Sequence, residues 1–328
     1  MGIGREGNNL YANSLVAFDL NKKDIKWHFQ EIPHDVWNFD LAAPPILTMT
    51  KKNNQLIDVV LAVSKTGNVI LLDRESGEPM FDLKYVRAPV SNVPGERTSP
   101  YQLNIELPEP ICRGKFNKEY LTEFDNEFVD DFNSNIDKYN FGFPSPPLLD
   151  KINISIGSCV RWSGGSVDTQ KNVLYISSDN YPDLIYLQKD DKKFSYYHEW
   201  DSFVDNDGYP AIKPPWGAIT ALNLNSGKII WQKPFGTIKE LEKRNIFNTG
   251  SSNRAGITAT AGNLIFASGT DDNLFRVYDS LTGDELWSFK LDAPGSAPPT
   301  IFTIDNKQYI LVPAYEKSGN KVYCFTLK

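Results

Sequence analysis

The stretch Val277-Tyr278-Asp279-Ser280-Leu281-Thr282-Gly283-Asp284-Glu285-Leu286-Trp287 decides the architecture, because its skeleton recurs along the chain. An aliphatic residue is followed by an Asp, then a Gly, then a large aromatic, at fixed spacing. The same frame reads Leu71, Asp73, Gly77, Phe81, and again Ala221, Asn223, Gly227, Trp231. The first copy keeps Ala17, Asp19 and Trp27 but carries Lys23 at the glycine position. Such a unit reads as strand, tight turn, strand, with Asp and Gly serving the turn and the aromatic closing the second strand. It cannot bury its own apolar face, so the copies must stack. Stacked sheets repeated around an axis make an all-β fold, the β-propeller.

Working outward from the turns, alternating apolar stretches supply the strands. Residues 10–20 and 25–30 read as the second half of a blade. Residues 42–49, 56–64, 68–73 and 79–83 read as a full blade, as do 161–168, 173–178, 217–224 and 228–235. A further blade spans 257–260, 263–268, 274–279 and 285–291, and residues 299–304, 308–313 and 321–327 supply three strands more. The expectation is one domain over residues 1–328, an incomplete ring of about four to five blades. Two insertions interrupt it. The first, at about 84–149, carries a helical stripe of Leu121, Phe124, Phe128, Phe132 and Ile136. The second, at about 188–215, reads as an aromatic and charged loop with Tyr196, Tyr197, His198, Trp200 and Tyr209.

Composition removes several function classes. The net charge of -7, with Lys and Arg scattered, argues against a nucleic-acid surface. No run of about 18 apolar residues stands as a transmembrane helix, and residues 1–7 lack a secretory signal's apolar core. Cys112, Cys159 and Cys324 have no metal-ligand or haem-attachment spacing and do not settle the compartment. There is no serine elbow, P-loop or dinucleotide fingerprint.

Three segments remain as candidates. In His34-Asp35-Val36-Trp37-Asn38-Phe39-Asp40, the Asp35 carboxylate suits a general base, and equally a turn Asp beside a packing Trp. In Lys65-Thr66-Gly67-Asn68, Lys65 suits a cation that polarises a carbonyl, although Thr-Gly-Asn is also ordinary hairpin chemistry. Arg161-Trp162-Ser163-Gly164-Gly165 joins a planar cation, a flat aromatic and glycines permitting close approach, which suits a flat anionic ligand. The same residues also suit a plain strand start. Asn253-Arg254-Ala255-Gly256 repeats the idea more weakly.

In order, these segments resemble the quinoprotein dehydrogenases that use pyrroloquinoline quinone (PQQ), nearest the membrane glucose dehydrogenase and alcohol dehydrogenase branch. Asn13–Asp19, Lys26–Gln30, His34-Asp35-Val36-Trp37, Ala43-Pro44-Pro45 and Lys65-Thr66-Gly67-Asn68 carry the likeness. So do Leu72–Pro79, Val93-Pro94-Gly95-Glu96, Ser99-Pro100, Trp216–Ile219, Thr260–Asn263, Asp272–Arg276 and Lys307-Gln308-Tyr309. The resemblance implies an eight-bladed propeller of which this is the C-terminal portion, with the missing blades expected from an upstream segment.

It further implies hydride transfer from an alcohol or aldose sugar to PQQ, with Asp35 as base and Lys65 at the quinone oxygens. Arg161, Trp162, Ala255 and Gly256 would be cofactor neighbours. A calcium or magnesium ion with unknown ligands, a quinone or cytochrome electron acceptor, and a periplasmic location follow by the same resemblance. Departures are Gly7-Asn8-Asn9, where the methanol-oxidising branch has its base, and Arg254-Ala255-Gly256, where a Trp or Leu precedes Gly-Gly. The alternatives are a non-catalytic propeller that binds proteins, and an inactive truncated remnant.

Overall fold

The repeat turns fold as the spacing requires. In a computed structural model describing residues 1–190, 195–316 and 319–326, one side-chain oxygen closes each turn. Asp19, Asp73, Asn223 and Asp279 each accept from the two backbone amides two and three residues later, at 2.7–3.2 Å. Gly77, Gly227 and Gly283 sit at positive φ and donate to the carbonyls of Asp73, Asn223 and Asp279. Lys23 takes the same left-handed conformation (φ 55°) where Gly is missing.

The strands that follow carry one further shared feature. Ala17 pairs with Trp27, Ala221 with Trp231 and Val277 with Trp287, and the register slips immediately after the first residue of each pair. This bulge strengthens the local twist and turns the aromatic outward from its own sheet. Trp27 then lies against Gly77, where an added Cβ would come within 2.7 Å of the ring, and its Nε1 donates to the Arg74 carbonyl at 3.1 Å. Trp231 repeats this on Gly283 and the Ser280 carbonyl, also at 3.1 Å. Trp287 is half-exposed and packs on Phe275 and Phe325.

The chain divides into two compact units. The first holds Met1–Leu47, Asp58–Cys159 and Asn180–Lys213. It contains the pair Ser14–Asp19 and Asp24–Gln30, the hairpin Lys84–Arg87 with Tyr101–Asn104, and most of the sheet Ile46–Lys52, Gln55–Val63, Val69–Asp73. A cluster of Leu15, Val60, Ala62, Ile70, Leu72 and Leu103 packs Trp27 and Phe29 at its edge. The second unit holds Thr48–Ile57, Val160–Asp179 and Pro214–Lys328. Its two four-stranded antiparallel sheets are Gly165–Asp168, Val173–Asp179, Gly217–Asn223, Lys228–Pro234 and Ile257–Ala259, Leu264–Ala267, Leu274–Asp279, Glu285–Lys290. A three-stranded sheet, Thr300–Ile304, Lys307–Glu316 and Gly319–Thr326, follows. Leu327 lies outside the described residues.

Three expectations need correction, and one further feature had no sequence signal. Residues 79–83 form no strand. Only a Leu72–Pro79 bridge and the Met80 amide on the Leu71 carbonyl remain, because Pro79 brings no amide to a ladder. The helical stripe folds as Asn126–Ser134, capped by Asp125 on the Phe128 amide at 2.9 Å, and excludes Leu121, Phe124 and Ile136, the last of which starts a separate 3-10 turn. The second insertion is not a plain loop. Asp183–Asp190 and Ser195–Ser202 pair antiparallel and join Ile152–Ser155 and Tyr139–Asn140 in a separate four-stranded sheet; residues 191–194 lie outside the described residues. The long cysteine separation hid a disulfide, Cys112–Cys159, within the first unit.

Candidate functional site

The segment after Gln30 leaves its sheet and folds around Asp35. Both carboxylate oxygens are engaged: Oδ1 accepts the Trp37 amide at 2.8 Å, and Oδ2 accepts the Phe39 amide at 2.8 Å and the Asn13 side chain at 3.1 Å. The neighbouring His34 is buried at φ 51°, with Nδ1 2.7 Å from the Gly7 carbonyl and Nε2 2.7 Å from Glu96 Oε1. Glu96 Oε2 accepts the Gly2 amide at 2.5 Å. Trp37 is a packing residue, 1% exposed, lying against Phe39 and Phe143 with Nε1 donating to the Ser145 carbonyl at 2.9 Å.

Lys65 sits in the hairpin loop between Gln55–Val63 and Val69–Asp73. Its ammonium reaches Asp40 Oδ1 at 2.5 Å and the Asn38 carbonyl at 3.2 Å. It lines a cavity of about 200 Å³ with Trp37, Asn38, Gly157, Ser158, Asp183 and Trp200. Asp35 lines an open cavity of about 580 Å³ that includes Asn13, Asn38, Tyr197, His198 and Trp200. Asn38 and Trp200 belong to both walls, so the Asp35 carboxylate and the Lys65 ammonium face adjoining spaces in one unit. Trp200 and Tyr197 come from the insertion strand Ser195–Ser202, which no local motif announces. Burial pushes the His198 imidazole down to about 4, which keeps it neutral, and among the described residues its Nε2 has no partner.

The remaining candidates lie in the second unit. Arg161 Nε donates to Asp179 Oδ2 at 3.1 Å. Asp179 is 2% exposed, and its Oδ1 also accepts the Asn253 amide at 3.0 Å and side chain at 2.6 Å. Burial raises Asp179 to about 7 against the opposing pull of Arg161. Trp162 is 60% exposed. Ala255 is fully buried against Gly269, and Gly256 (φ 80°) packs on Ser163 and Pro298. The family-like segment Asp272–Arg276 is an internal brace: Arg276 grips both oxygens of Asp272 and reaches Thr270 and Glu285.

An ammonium paired with Asp40, an exposed indole, an amide, a serine and the Asp183 carboxylate gather around one space. Sequence reasoning named Asn38 and Trp200 only as members of the His34–Asp40 segment and of the second insertion, and missed Ser158, Asp183 and Asp179. Ser158 and Asp183 carry no chemistry-bearing spacing, and Asp179 reads as a strand end. The resemblance implies a calcium or magnesium ion, but among the described residues no three His, Cys, Asp or Glu side chains gather to hold one.

The chain is 28% identical to a quinoprotein glucose dehydrogenase of Escherichia coli (strain K12) over 93% of its own length and 42% of that protein's. It is 27% identical to quinoprotein glucose dehydrogenase A of Acinetobacter calcoaceticus, with the same two coverages. It thus spans about two-fifths of these relatives. Its fold matches that of a quinohemoprotein alcohol dehydrogenase from Comamonas testosteroni with a TM-score of 0.64, at 21% identity, over 98% of this chain and 43% of that one. The family model for the PQQ glucose/ethanol/alcohol dehydrogenase β-propeller domain matches residues 1–310, and the chain belongs to that family.

Proposed function

We propose that the chain is the C-terminal portion of a PQQ-dependent dehydrogenase that oxidises an alcohol or an aldose sugar. The observation that carries this is the pair of adjoining cavities, one lined by Asp35 and the other by Lys65, with Asn38 and Trp200 in both walls. Three donors occupy the Asp35 carboxylate, which leaves lone-pair capacity toward the open cavity for a substrate hydroxyl. Asp35 takes that hydroxyl proton, and the backbone amides of Trp37 and Phe39 keep the carboxylate aimed.

Lys65, Ser158 and Trp200 would hold the cofactor, with Lys65 supplying positive charge where its oxygens gain negative charge. For the second unit taken by itself, Arg161, Trp162, Ala255 and Gly256 are proposed as cofactor neighbours on the resemblance alone. PQQ, when bound, supplies the hydride acceptor. Electrons would pass on to a quinone or cytochrome. The Cys112–Cys159 disulfide supports the oxidising periplasm as the compartment. The sheets are read as one partial propeller with insertions at about 84–149 and 188–215, completed by a segment outside this chain. A protein-binding scaffold would explain the repeats but not the paired cavities.

The test titrates the purified chain with PQQ, following tryptophan fluorescence and protection of Lys65 from acylation, then assays dye-linked oxidation of glucose and ethanol. Protection of Lys65 that is lost in Asp40→Ala or Trp200→Ala supports the reading. Quenching by PQQ with Lys65 unprotected sinks it. Weak binding by this chain alone is expected, since part of the pocket would come from elsewhere.

A further inference from the structure

The loop that carries Lys65 is gripped from two sides. It is short: the Ser64 amide bonds the Asn68 carbonyl at 3.1 Å, and the Gly67 amide bonds the Ser64 carbonyl at 3.0 Å. On one side stands Glu31, fully buried. Its Oε1 accepts Ser64 Oγ at 2.8 Å, Thr66 Oγ1 at 2.9 Å and Asn68 Nδ2 at 2.8 Å, while its Oε2 has no partner among the described residues. Three donors from residues flanking Lys65 therefore converge on one oxygen.

On the other side lies the disulfide. The Cys159 amide donates to the Lys65 carbonyl at 3.1 Å, and the Ile111 amide donates to the Gly67 carbonyl at 3.0 Å. A Cβ on Gly67 would come within 2.4 Å of Cys112 Sγ and 3.1 Å of Cys159 Sγ, so the sulfurs rest directly on the loop. At Gly114 a Cβ would meet the Thr66 carbonyl at 2.3 Å, so the strand of chain beside Cys112 presses there too. Ser64, Thr66 and Asn68 are tied inward, and Lys65 is the residue of the loop whose side chain enters the cavity beside Asn38.

We propose that Glu31 and the Cys112–Cys159 disulfide are positioning residues for Lys65, fixing the loop so that its ammonium stays in the cavity. This rests on Lys65 being the cation that meets the cofactor. A lysine stem is long and freely rotating, so a defined ammonium needs a fixed root. Burial raises Glu31 above the ordinary carboxylate range. Its job here is to accept hydrogen bonds with Oε1, which a glutamine does equally well and a leucine does not. Leucine would leave two of the three donors unanswered, since the Ser64 and Thr66 hydroxyls, 2.7 Å apart, could answer only one of them between themselves.

The experiment uses the cofactor-free chain, limiting acetic anhydride and peptide mass spectrometry. It reads the acylation rate of Lys65 relative to the exposed Lys51. Glu31→Gln should leave that ratio at the wild-type value. Glu31→Leu, and separately Cys112→Ser with Cys159→Ser, should raise it roughly tenfold, equivalent to about 1.4 kcal/mol of lost hold. An unchanged ratio in both disruptive variants overturns the proposal, as does a rise with Glu31→Gln equal to that with Glu31→Leu. If Glu31→Leu does not fold, the double serine variant decides alone. No cofactor enters the assay, so a failed PQQ titration beside the expected ratios counts against the role of Lys65 and leaves the clamp standing.

Discussion

Asp179→Asn tests the electrostatics of the second unit. The Asp179 carboxyl rises from 3.8 to about 7 because burial outweighs its bond to Arg161. At about 1.4 kcal/mol per pH unit, the ionised form costs up to about 4 kcal/mol more in the folded chain than in the unfolded one. The folded value lies above the unfolded one. Its contribution to stability is therefore full below pH about 4 and is lost as the pH rises through about 7. Asparagine keeps an oxygen for the Asn253 amide and side chain, both of which bond Oδ1, and removes the titration. It also turns an NH2 toward Arg161, which is partly exposed and can find water. The variant should be about 1 kcal/mol less stable than wild type at pH 5, where a hydrogen-bond partner is lost, and equal or more stable at pH 8. Urea unfolding followed by tryptophan fluorescence from pH 4.5 to 8 reads the difference, and other carboxylates cancel between the two proteins. A difference constant across that range would refute the assignment.

Three further outcomes are expected. Trp231→Ala, which uncovers Gly283 and strands the Ser280 carbonyl, should cost about 2–3 kcal/mol, below the range for a fully buried tryptophan, and Trp287→Ala clearly less; urea midpoints compare them. Gly283→Ala should cost about 1–3 kcal/mol, because φ is 73° and the new methyl meets the Trp231 ring, with thermal denaturation as the measure. His198, lowered by burial from 6.5 to about 4, contributes stability that is present above about 6.5 and lost as the pH falls through about 4. His198→Gln should flatten that acid limb, and NMR titration of the imidazole reads the shift directly.

The turns were legible because their cause is local: an Asp or Asn oxygen and a left-handed residue four positions on close them whatever surrounds them. Trp27 and Trp231 were legible as anchors, though not their targets, since the Gly each covers belongs to another copy. Residues 79–83 misled because the repeat frame continues through Phe81 while Pro79 withholds a ladder amide. Strands Asp183–Asp190 and Ser195–Ser202 were hidden by charged residues that suit a solvent-facing sheet as well as a loop. Asp35 and Lys65 could be picked out by type and order. Glu31, Glu96 and Asp179 could not, because nothing in a sequence says that an acid will be buried.

The sheet that begins with Gly165–Asp168 and Val173–Asp179 waits for its partner. The chain leaves after Asp179, builds Asp183–Asp190 and Ser195–Ser202 elsewhere, and returns only at Gly217–Asn223, which pairs along the whole of Val173–Asp179. During synthesis the Val173–Asp179 edge, buried throughout in the finished protein, therefore stands open while the insertion emerges from the ribosome. At about 5–20 residues per second that interval lasts several seconds. An apolar edge left unpaired for so long invites pairing with another nascent chain. The insertion that lines the Asp35 cavity thus also sets how long the newborn sheet edge stands unpaired.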